Sequence, residues 1–84
     1  MNSRQRKTLE AVFATPTPAK VEWDALERLL VAVGCKVVEG SGSRVSFVYK
    51  DHIESFHRPH PAKEAKRYQV KQARDFLAKI GVKP

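Results

Sequence analysis

Arg44-Val45-Ser46-Phe47-Val48-Tyr49-Lys50-Asp51-His52-Ile53-Glu54-Ser55-Phe56-His57 is the stretch that decides the fold. From Arg44 to Lys50 the side chains alternate with a period of two. Val45, Phe47 and Tyr49 fall on one face, with Arg44, Ser46, Val48 and Lys50 on the other. Only an extended chain sorts its residues this way, so the segment is a strand with one face against a core. Asp51-His52 reads as a short turn and Ile53 to His57 as the next strand. That turn predicts Lys50 opposite Ile53, Phe47 opposite Phe56 and Ser46 opposite His57. The register supports itself, because two phenylalanines meet on the core face and a slip by one residue would expose Phe56.

Upstream, Cys35 to Glu39 reads as a strand and Gly40-Ser41-Gly42 as a tight turn. Before them Leu26, Leu29, Leu30 and Val33 form one helical stripe, with Glu22, Asp24, Glu27 and Arg28 outside it. The acidic start suits the helix dipole, and Gly34 supplies a left-handed stop. Downstream, Pro59 and Pro61 end the third strand. A last helix from about Arg67 to Ile80 carries Val70, Ala73, Phe76, Leu77 and Ile80, and is closed by Gly81 and Pro84. At the other end Ser3 is a helix cap, Leu9, Val12 and Phe13 share a face, and Thr15-Pro16-Thr17-Pro18 stops that helix. The order α-(α-β-β-β-α) predicts an α+β fold, with helices on one face of a three-stranded antiparallel sheet. Residues 1–20 are expected to be a helix and proline-rich linker, and 21–84 the domain proper. The first helix either packs back on the core or serves a partner.

The chain has 84 residues, enough for one modest core. Sixteen Lys and Arg against nine Asp and Glu give a net charge of +7. That excess attracts polyanions, nucleic acid first among them, although an acidic protein uses the same field. Cys35 is the single cysteine, which excludes an intrachain disulfide and a thiolate metal cluster; beside Val37 and Val38 it is expected to be a buried hydrophobe. No signal peptide and no run of about 20 apolar residues is visible, so a cytoplasmic protein without a membrane span is expected.

Phe56-His57-Arg58-Pro59-His60-Pro61 puts two imidazoles and a guanidinium into a stiff segment. Such a segment offers groups that take and give protons beside a cation, which suits chemistry or binding at a phosphate. Imidazole serves either proton role, and Arg58 or Arg44 the cationic one. The blander alternative is a pair of strand-end histidines that bind phosphate or a partner. His52, His57 and His60 lack a well-spaced carboxylate or cysteine, so no metal and no cofactor is expected. Lys63, Lys66, Arg67 and Lys71 surround the start of the last helix, where helix dipole and side-chain charge both favour phosphate; a solvated basic face is the alternative. Tyr68 either stacks on a base or covers the core edge, and Trp23 is expected to be an anchor in the core or toward a partner. Gly40-Ser41-Gly42-Ser43 joins two strands and lacks the lysine and following helix of a phosphate-binding P-loop.

From Val21 to Val82 this organisation resembles the HicA-type mRNA interferase family, whose members share a fold like a double-stranded-RNA-binding domain. The resemblance rests on the helix ending at Gly34, the Gly40-Ser41 turn into strand two, the His60-Pro61 exit from strand three, and a closing helix ending in Ile80-Gly81. It implies metal-independent endoribonuclease activity on mRNA, and restraint by a HicB-like antitoxin in a hetero-oligomer. In the family the turn into strand two carries a histidine needed for cleavage, in a pattern like Gly-Ser-x-His. Ser43 stands at that position here, and a hydroxyl is a poor general base unless activated. Two outcomes are open. Either the chemistry has moved to a subtype site with His57, His60 and Ser43, or the chain grips RNA through Arg44, Arg58, Lys63, Lys66, Arg67 and Lys71 without cutting. A protein-interaction subunit that docks an acidic partner is the third reading.

Overall fold

A computed structural model describes all of residues 1–84. Its elements run α1 (Ser3–Val12), α2 (Trp23–Ala32), β1 (Lys36–Glu39), β2 (Arg44–Tyr49), β3 (His52–His57) and α3 (Arg67–Lys79), with sheet order β1-β2-β3 and both pairings antiparallel. The α+β class and the α-β-β-β-α layout are therefore those the sequence predicts. The alternation read from β2 is also observed: Val45, Phe47 and Phe56 are buried, whereas Arg44, Ile53, Ser55 and His57 are exposed on the other face. Trp23 packs with Phe47 and Phe56 in a three-ring cluster, ring centroids 5.4–6.4 Å apart and tilted or edge to face. That geometry lets a ring edge meet a ring face.

The expected β2–β3 register is corrected by two residues. Val45 lies opposite Phe56, Ser46 opposite Ser55, Val48 opposite Ile53, Tyr49 opposite His52, and Arg44, not Ser46, opposite His57. The turn is Lys50-Asp51 rather than Asp51-His52, with Lys50 in the left-handed region at φ 55°. Moving a two-residue turn by one position changes each partner by two and leaves every side chain on its face. Hydrophobic alternation is therefore blind to this choice. The observed register gains a hydroxyl–hydroxyl bond between Ser46 and Ser55, 2.8 Å long.

Two further details differ. The cap of α1 is Asn2, not Ser3: Asn2 Oδ1 accepts from the Gln5 amide and Gln5 Oε1 from the Asn2 amide, both at 2.9 Å. This reciprocal box uses two otherwise unpaired donors, which a cap at Ser3 without a matching partner would not. Strands β1 and β3 begin one residue away from their expected starts, at Lys36 and His52.

α2 and α3 end alike. Gly34 and Gly81 take φ 111° and 86°, and the next residues donate back to Leu30 and Leu77 at 3.0 and 2.9 Å. These are left-handed glycine stops that satisfy the last carbonyls. One core holds all three helices and the sheet, and α1 contributes Leu9 and Val12 to it. Of the two fates open to α1, packing back is the one observed. Cys35 is buried in the same core, and burial pushes its thiol pKa up, away from a reactive thiolate. No helix is long and apolar enough to cross a membrane.

Candidate functional site

The open end of the sheet is organised around the last residue of β3. His57 projects from the face opposite the helices and lies directly across from Arg44. Pairing continues one step further, because the Arg58 amide donates to the Ser43 carbonyl at 2.8 Å. The Gly40 amide donates to the Arg44 carbonyl at 2.9 Å, and the Arg44 amide to the Ser41 carbonyl at 3.2 Å. These bonds close the turn and hold Ser43 beside the strand exit. Ser43, Arg44 and His57 are all exposed; Arg44 and His57 share the face opposite the helices, and Ser43 is one residue on, paired with Arg58.

Arg58 does not join that surface. Its side chain turns to the helix side, where Nε and Nη2 donate to Glu27 at 3.0 and 3.2 Å, and Nη1 and Nη2 to Glu39 at 2.7 and 2.9 Å. Glu27 also accepts from Trp23 Nε1 at 2.8 Å, so it is not the solvent-facing residue its place beside the α2 stripe suggested. The two carboxylates raise the Arg58 pKa, and the Arg58 hydrogen bond holds the Glu39 carboxyl below the usual range. With both edges of its guanidinium occupied, Arg58 anchors α2, β1 and the exit of β3. Four of its five N–H donors are taken, which leaves a single Nη1–H for any further acceptor. Arg44 is the cation left beside His57.

The start of α3 is tied to His57 by one residue that sequence reasoning missed. Gln69 is 2% exposed; its Nε2 donates to the His57 carbonyl at 2.7 Å and its Oε1 accepts from the Lys66 amide at 3.0 Å. The signal was present. Gln69 falls four residues before Ala73 on the apolar stripe, and a polar residue on a buried stripe needs partners. A second tie comes from the preceding loop. The Trp23 amide donates to the Lys63 carbonyl at 2.9 Å and the Ala65 amide to the Val21 carbonyl at 2.7 Å, latching residues 63–65 onto the start of α2.

Lys63, Lys66, Arg67 and Lys71 are exposed around this start, as is Tyr68, so its ring is not the core cover. Trp23, by contrast, is a core anchor. His60 is exposed in the exit loop, three residues beyond His57. His52 lies at the opposite end of β3, its Nε2 3.7 Å from Asp51 Oδ1. The structure thus sets Arg44 and His57 side by side on one face, with Ser43 next in the chain, and ties the His57 backbone to the basic helix start. It leaves Arg58 and His52 outside.

Among known proteins, the family model for the HicA toxin of bacterial toxin–antitoxin systems matches residues 23–82. No curated protein and no solved structure matches the chain.

Proposed function

This chain belongs to the HicA toxin family of bacterial toxin–antitoxin systems, and we propose that it acts there as a metal-independent endoribonuclease that cuts mRNA and is silenced by a HicB-like antitoxin. The observation that carries this reading is the cross-strand pair of His57 and Arg44 on the open sheet face, one buried glutamine away from a basic helix start. In the proposed reaction the ribose 2′-oxygen attacks phosphorus and the 5′-oxygen leaves. His57 and His60 share the base and acid roles, because imidazole exchanges protons near neutral pH. Arg44 offsets the charge that builds on the phosphorane oxygens. Ser43 takes the place of the family's histidine and donates its hydroxyl to a phosphate oxygen, which makes this an atypical subtype. Lys63, Lys66, Arg67 and Lys71 hold the flanking backbone through its charge.

A second reading, RNA binding without cleavage, is favoured by one feature: Ser43 offers no group that titrates near neutrality. Purified protein incubated with structured and unstructured RNA in chelator separates the two. The expected result is cutting that disappears in His57→Ala and in His60→Ala. Binding without cutting by the unaltered protein selects the second reading, and neither binding nor cutting leaves a protein-interaction subunit. Arg67→Ala and Lys63→Ala are expected to weaken binding at every RNA sequence and to flatten its salt dependence. The antitoxin is expected to cover the surface from His57 to Arg67, so a complex that leaves it open would contradict that part.

A further inference from the structure

A cationic hollow shares Arg67 and Lys71 with the proposed RNA contacts and adds Arg74, Thr15 and Thr17 to them. Between the α1–α2 loop and the outer side of α3 the molecule has a hollow lined by Thr15, Pro16, Thr17, Arg67, Lys71 and Arg74. The three cations sit at i, i+4 and i+7 of α3, one row about 10 Å long at the helical rise. None of them has a carboxylate partner, since the ion pairs of the chain are His52–Asp51, Arg58–Glu27 and Arg58–Glu39. Arg74 is half-buried and reaches Thr17 Oγ1 at 3.4 Å, a bond long enough to be exchanged for a better acceptor. Every polar side chain lining the hollow is a cation or a hydroxyl.

Such a lining selects an anion, and concave walls of one sign concentrate the field. The cations stand in a row, not around a point, which suits a chain of charges better than a single small ion. Pro16 is the one nonpolar wall residue, so the hollow lacks the apolar centre on which protein partners anchor. Polar, positive and without a hydrophobic middle is the character of a nucleic-acid contact. The row shares Arg67 and Lys71 with the proposed RNA surface and extends it to Arg74.

We propose that this hollow is a second phosphate subsite, which takes the sugar–phosphate backbone of the RNA beyond the His57 end. The inference rests on the RNA reading above for the identity of its ligand. Thr15 to Thr17 lie outside the region shared with the HicA family. The subsite is therefore built partly from this chain's own N-terminal segment, and gives that segment a role beyond filling the core.

The test measures affinity for a structured RNA against salt concentration, in a His57→Ala background so that the RNA stays whole. Arg74→Gln and the exposed Lys71→Gln are each expected to weaken binding several-fold at low salt. Each should also reduce the slope of log affinity against log salt by about 0.7 to 0.9, the loss of one phosphate contact. Thr17→Val is expected to weaken binding without changing the slope, since a hydroxyl carries no charge. Urea midpoints of each variant keep loss of folding apart from loss of contact. An unchanged slope in Arg74→Gln, with the background protein still binding RNA, overturns the subsite and leaves the proposed function standing. Failure of the background protein to bind RNA overturns both. Variants that keep the RNA slope but loosen an antitoxin complex make the hollow a protein contact, and that also overturns the proposal.

Discussion

Gln69 follows the exposed Lys66, Arg67 and Tyr68 at the helix start, yet both ends of its amide are used inside the fold. Replacing it with leucine keeps the volume and removes the partners of the His57 carbonyl and the Lys66 amide. An unsatisfied buried polar group costs about 1–3 kcal/mol. We expect Gln69→Leu to lose about 2 kcal/mol in urea unfolding; a loss under about 0.5 kcal/mol would mean that water replaces the amide. At this scale the sequence was partly legible. The imidazoles, the basic residues and the core aromatics could be named from their types and spacing. Gln69 was marked only by its place on the apolar stripe, and the roles of Glu27 and Arg58 were not marked at all, because a side chain that reaches thirty-one residues away, as Arg58 does to Glu27, leaves no trace in local periodicity.

The elements themselves were legible because each is written in its own period, two for the strands and 3.6 for the helices, with glycine at both helix stops. The hairpin register was not. Two neighbouring turn positions place the same residues on the same faces, so hydrophobic patterning is blind to the choice; the observed one puts Lys50 in the left-handed region and pairs Ser46 with Ser55. A left-handed residue with a side chain costs about 1–2 kcal/mol relative to its usual conformations. Glycine avoids that cost but loses some of the gain to its greater freedom when unfolded. Lys50→Gly is therefore expected to raise stability by about 0.5–1 kcal/mol, measured by urea unfolding. A decrease would show that the turn is not strained at this position.

At the scale of the whole molecule, the network of Arg58, Glu27 and Glu39 joins α2, β1 and the exit of β3. Glu39 has a folded pKa below its ordinary value. A depressed carboxyl contributes stability that is present above its unfolded pKa and lost as pH falls through the folded one. Stability is thus expected to fall as pH drops below the ordinary carboxylate range. Arg58→Met should be less stable at neutral pH and show a shallower acid fall in unfolding midpoints. Parallel acid curves for the two proteins would remove this network from the pH dependence. The +7 charge pointed to a polyanion from the start. Which cations are free and which are already paired emerged only from the packed structure.

The sheet also has two unlike margins. On β3 the outward carbonyls of Ser55 and His57 accept from Gln72 and Gln69 at 2.8 and 2.7 Å. β1 has no such cover, and Lys36, Val38 and Glu39 along it are exposed. Sheet extension is accordingly easier at β1 than at β3. A fourth strand, whether from a partner or from a misassembled copy, finds both amides and carbonyls open along Lys36–Glu39, whereas on the opposite flank two of the carbonyls it would need are already taken.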